Sequence, residues 1–191
     1  MTNLRLFDPL AKLLGMPEDG ILEYSFMDAV KLSGHACPTV AGAYLMTVKG
    51  VQALYPEGLP KRGGVKVYFR DGQNDGVVGV MSRVAGLITG ACGDDGFKGL
   101  AGQQARRGLL FFNAKIKGEI AFERVDTKAR VEVFYNPGIV PGNPQMGELL
   151  GLILQGVASE AEEKLFAGFW QKRVSLILGE YVNHPELVRV V

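Results

Sequence analysis

An imidazole and a thiol stand two residues apart in Gly34-His35-Ala36-Cys37-Pro38, just ahead of an apolar run with helical spacing. Proline favours the first position of a helix, where a missing N–H is no loss, so the run predicts a helix starting at Pro38 with Cys37 at or next to its N-cap. A thiol placed there faces the positive end of the helix dipole, which favours the thiolate, the form that ligates metal or attacks as a nucleophile. His35 and Cys37 can serve one centre only from the turn before the helix, because residues two apart on a regular helix point to roughly opposite sides.

The second cysteine lies in Ala91-Cys92-Gly93-Asp94-Asp95-Gly96-Phe97-Lys98-Gly99, a loop whose glycines suit close approach to a backbone, an ion or a ligand. Cys92 is the natural candidate for a further ligand. His35, Cys37 and Cys92 would then hold zinc or another divalent metal, with the fourth position left to Asp75, Asp94, Asp95, water or substrate. Three mixed N and S ligands with an open place are the usual layout of a catalytic zinc site, whereas a closed four-ligand shell points to a structural accessory subunit. A third reading dispenses with metal and makes Cys37 a nucleophile with His35 as its base. Against all three stand plainer roles: a buried Cys as a small hydrophobe, a His as a hydrogen-bonded filler, acids as solvated turn formers.

These residues need elements to hold them. Leu4 to Leu14 has a short helical pattern and reads as a packing arm. Ser25 and Asp28 have the spacing of a capping box and open a short helix that Gly34 ends, so the His-Cys turn lies between two helices. From Val40 to Tyr55 apolar residues recur at steps of three or four, with Ala41, Gly42 and Ala43 keeping the first turn slim. Val65 to Arg70 alternates as a strand, and Val77 to Ile88 reads as a second buried helix. Leu109–Asn113, Glu119–Val125 and Ala129–Tyr135 predict an antiparallel meander. Met146–Val157 and Glu160–Leu178 then read as a helical pair, apolar enough to cover the core or to form a dimer interface. The fold class expected is α+β, an antiparallel sheet packed against buried helices with a C-terminal helical pair.

With 191 residues the chain is expected to form a single domain, 1–191, with a helical extension over about 144–180. Its 21 basic and 20 acidic residues suggest no broad surface for nucleic acid or anionic membrane, and Lys61-Arg62 and Arg106-Arg107 read as solvated patches. No apolar run approaches the roughly 20 residues of a membrane span, and no signal-peptide layout opens the chain, so a cytoplasmic protein with reduced thiols is expected. No phosphate-loop or dinucleotide fingerprint is present, and two cysteines are too few for the four thiolates of an iron-sulfur cluster.

The residues also carry a resemblance. Gly34-His35-Ala36-Cys37-Pro38 through Gly42-Ala43-Tyr44, Leu87 to Gly93, and Arg107 to Phe112 are similar to segments of the formylmethanofuran dehydrogenase FmdE family, over positions 25 to 135. The resemblance implies an α+β core domain, often a homodimer, with a metal centre at the His and Cys positions and a role in one-carbon or redox metabolism, with a small-molecule substrate or a partner protein of a metabolic complex. The chain departs from the family's pattern where many members carry a four-cysteine zinc finger, since no cysteine follows Cys92. It departs again at Val80 and Arg83, where members tend to show Cys and Asp, and at Ala91, inserted between Thr89 and Cys92.

Overall fold

The computed structural model describes residues 3–191. The element around which the rest is arranged is the helix α3, Pro38–Leu54, buried along nearly its whole length. Small residues on one side let it lie close to a sheet: a Cβ at Gly42 would overlap the Tyr135 ring, and one at Gly50 would fall 2.5 Å from the Phe122 ring. Helix α4, Val78–Thr89, packs beside it and ends at Gly90, which takes the left-handed conformation that suits glycine. The α+β class expected from the sequence is the class found.

The sheet has five strands, β3 Val65–Phe69, β4 Leu110–Phe111, β5 Ile120–Arg124, β6 Arg130–Tyr135 and β7 Val188–Val190, in the order β4-β3-β5-β6-β7. β5 pairs antiparallel with both β3 and β6, with Phe122 opposite Val67 on one side and Val131 on the other. The expected meander is therefore right for its last two members only. The segment 109–113 shortens to two strand residues and runs parallel to β3, which occupies the place between it and β5. The chain leaving β4 explains this: Asn113 and Ala114 donate to the carbonyls of Asp71 and Phe69, so the link turns over the end of β3 before β5 begins.

The N-terminal arm also differs from the helical reading. Leu4–Phe7 forms β1, paired antiparallel with β2, Ile21–Tyr24, and only Pro9–Leu14 is helical, α1. Leu4 and Leu6 face inward while Arg5 faces out, a period of two that Asp8 ends by capping α1 through the N–H groups of Leu10 and Ala11. Asp8 does more than cap. Its buried carboxylate meets Arg62 at 3.0 Å and Arg106 at 2.6 Å. Arg62 also donates to the Ile88 and Leu87 carbonyls. Both arginines read as solvated in the sequence, because nothing local announces a partner that lies 54 and 98 residues away.

The C-terminal pair is α5, Met146–Leu154, and α6, Glu160–Leu178, the latter opened by a Ser159–Glu162 capping box. α6 sends Val174 and Ile177 into the core against α3. α5 packs on α6 and buries Leu149, leaving Leu150 and Leu154 exposed. Among the described residues no helix is long and apolar enough to cross a membrane.

Candidate functional site

Helix α2, Phe26–Ser33, carries the expected capping box at Ser25 and Asp28 and stops at Gly34, whose φ of 75° lets its N–H reach the Val30 carbonyl. Four residues later α3 begins at Pro38, with Cys37 as N-cap in an extended conformation and its Sγ accepting from the Val40 N–H at 3.3 Å. The turn between the two helices is held from a distance. The Ala36 carbonyl accepts from Trp170 Nε1 at 3.0 Å and Gln171 Nε2 at 3.3 Å, both on α6. The Pro38 carbonyl accepts from the Tyr135 hydroxyl at 2.8 Å, on β6. Burial raises the Tyr135 pKa well above that of an ordinary phenol, so the hydroxyl stays a donor at physiological pH.

His35 and Cys37 thus share one rigid turn but differ in exposure. Cys37 is buried, whereas His35 is exposed with Nδ1 placed 2.9 Å from the Ser33 carbonyl. A carbonyl only accepts, so Nδ1 donates in this contact, and in the neutral ring Nε2 is left as the acceptor nitrogen. A backbone carbonyl fixing one ring nitrogen is the outer-shell arrangement typical of metal-ligating histidines. An imidazole nitrogen and a thiol sulfur in one turn match zinc in donor chemistry.

Cys92 is built into a different place. Its N–H donates to the Arg106 carbonyl, and its own carbonyl accepts from Leu109 and Leu110 at the β4 edge. The loop's glycines serve this packing: a Cβ at Gly96 would lie 2.5 Å from the Cys92 Cβ and 2.8 Å from the Arg107 nitrogen. The Cys92 side chain lines a cavity of about 870 Å³ between α4, this loop and β4, together with Arg83, Asp94, Asp95, Phe111 and Phe112. Neither His35 nor Cys37 lines it. The turn is tethered to β6 and Cys92 to β4, three strand spacings apart in the sheet order, roughly 14 Å at about 4.8 Å each. Among the described residues no group of three or more His, Cys, Asp or Glu side chains is gathered closely enough to hold a metal ion. Asp75 spends one carboxylate oxygen on the Gly72 N–H, closing its own turn.

Sequence reasoning misses the residues that hold the site. Tyr135 reads only as the end of a strand and Trp170 as part of a helix over the core or a dimer interface, and their bonds to the turn span 97 and 134 residues. Arg106 reads as a surface residue, yet it ties the Cys92 loop to Asp8 of the N-terminal arm. Burial lowers its pKa, and the Asp8 carboxylate offsets that penalty only in part.

The family described as FmdE, molybdenum formylmethanofuran dehydrogenase operon, matches residues 32–188, from the last turn of α2 to the start of β7. The match runs past position 135 and takes in the helical pair α5 and α6. No curated protein matches the chain.

Proposed function

The chain belongs to the FmdE family, and from that premise we propose that it binds one divalent metal ion, zinc, at the Gly34–Pro38 turn and acts as an accessory or enzymatic component of one-carbon or redox metabolism. The observation that carries this reading is the His35 ring, exposed and pinned through Nδ1 to the Ser33 carbonyl, two residues from the Cys37 thiol. In the proposal His35 and Cys37 are the ligands of the turn, while Cys92 lines a separate cavity and its own variant decides whether it joins them as the third ligand the sequence suggested. Bound zinc with an open position would supply Lewis acidity. The chain's own contribution is to hold the donors still, through Ser33 on the ring, Val40 on the sulfur, and Trp170, Gln171 and Tyr135 on the backbone of the turn.

The metal-free reading, with Cys37 attacking and His35 as its base, finds less support. Cys37 is buried with its sulfur accepting from the Val40 N–H, which leaves little room for an incoming substrate at the thiol. A homodimer forms part of the proposal, with the exposed Leu150 and Leu154 of α5 as the apolar surface available to a second copy.

Elemental analysis of untagged protein tests the metal. Near-stoichiometric zinc that disappears in His35→Ala and in Cys37→Ser supports the turn as the site, and loss in Cys92→Ser adds the third ligand. Protein free of zinc after purification without chelators and after zinc addition sinks the proposal.

A further inference from the structure

The cavity beside Cys92 carries an inference independent of the metal. Its volume of about 870 Å³ falls in the range of small-molecule sites, roughly 300–1,000 Å³. Its apolar wall includes Leu87 of α4 and the rings of Phe111 and Phe112. Those rings are already fixed, Phe111 stacked on Tyr68 at 5.0 Å and Phe112 on Phe69 at 5.8 Å, so the wall is preformed.

Three charged residues complete the lining, Arg83 from α4 and Asp94 and Asp95 from the Cys92 loop. Elsewhere Arg62, Arg70, Arg106, Arg124 and Arg130 each hold a carboxylate. Arg83, Asp94 and Asp95 take part in no ion pair among the described residues. Charges of both signs without protein partners, around an apolar wall, are complementary to a molecule with an apolar body and both an amine and an acid group.

We propose that this cavity binds a small zwitterion of the amino-acid type, its ammonium group facing Asp94 and Asp95, its carboxylate facing Arg83 and its apolar side group against Phe111 and Phe112. Guanidinium and carboxylate match in planar two-point geometry, and two carboxylates beside one ammonium suit the excess of negative charge in the lining.

The test is an amide-shift NMR titration of the isotopically labelled full chain with L-phenylalanine, and with 3-phenylpropionate and phenethylamine, which keep only the acid or only the amine. Saturable shifts with L-phenylalanine at about 1 mM or below, confined to the amides of 92–96, 110–112 and α4, are expected. Each analogue should bind at least about tenfold more weakly, a loss of roughly 1.4 kcal/mol. Arg83→Ala should weaken L-phenylalanine and leave phenethylamine unchanged. The Asp94→Asn, Asp95→Asn double variant should weaken L-phenylalanine and leave 3-phenylpropionate unchanged. All three side chains lie at the cavity's lining away from the core, and unchanged amide shifts in α3 and β5 check that the variants remain folded. Absence of saturable binding by L-phenylalanine, shifts located elsewhere, or analogues that bind as tightly as the zwitterion would overturn the proposal. The readout makes no use of His35 or Cys37, so its failure is separable from failure of the metal reading.

Discussion

The indole N–H of Trp170 on α6 donates to the carbonyl of Ala36, 3.0 Å away and 134 residues earlier, inside the turn that carries His35 and Cys37. The C-terminal helical pair is thereby part of the site's support. Trp170→Phe keeps the apolar bulk and removes the donor, so it should cost about 1 kcal/mol in urea unfolding. It should also weaken zinc binding roughly tenfold, as loss of an outer-shell support does in metal sites. Competition titration with a chelating dye reads the affinity, and unchanged affinity would detach α6 from the site.

The contact between Gly42 and Tyr135 sets how closely α3 lies on the sheet. Gly42→Ala should destabilise the protein by about 1–3 kcal/mol through overpacking, and the Gly42→Ala, Tyr135→Ala double variant should lose less than the sum of its parts. Additive losses in thermal or urea unfolding would mean that the two positions do not share this contact.

Asp8 makes a prediction about acid. Burial by itself would raise its pKa, but the Ala11 N–H and the guanidinium groups of Arg62 and Arg106 outweigh it and hold the carboxyl below its ordinary range. A depressed carboxyl stabilises the fold fully above its unfolded pKa and loses that contribution as pH falls through the folded value. Asp8→Asn should therefore cost about 3 kcal/mol near neutrality, as breaking a buried ion pair does. It should also flatten the fall in stability below about pH 4, near the ordinary Asp pKa. Urea midpoints measured from pH 7 to pH 3 for the two proteins check both parts, and parallel curves would remove Asp8 from the acid response.

Leu150 and Leu154 on α5 are both exposed, and Leu150→Glu with Leu154→Glu tests whether a second copy covers them. The wild-type chain should sediment as a dimer and the double variant as a monomer with unchanged circular dichroism. A monomeric wild type at high concentration would remove the homodimer from the proposal.

Much of the fold is legible because its signals are local. Ser25 with Asp28, Gly34, Pro38 and Gly90 mark helix ends through caps, a fixed φ and a left-handed turn, each decided within a few residues. Apolar steps of three or four place α3 and α6, and alternation places β3 and β6. Short elements escape: β1 and β2 span four residues each, too few for a period to register, and β4, expected as a strand over 109–113, keeps two strand residues and pairs parallel with β3.

What the sequence determined by itself was the identity of the chemical groups, a His and a Cys in one inter-helix turn and a second Cys in a glycine-rich loop, because caps and breakers act locally. Only the tertiary structure decided their company. It tied the turn around Cys37 to Trp170 and Tyr135, set Cys92 on the wall of another cavity beside Arg83 and Asp94, and buried Arg106 against Asp8. Those pairings come from strand order and helix packing across as many as 134 residues, and no local pattern encodes which distant side chain a carbonyl, thiol or guanidinium will meet.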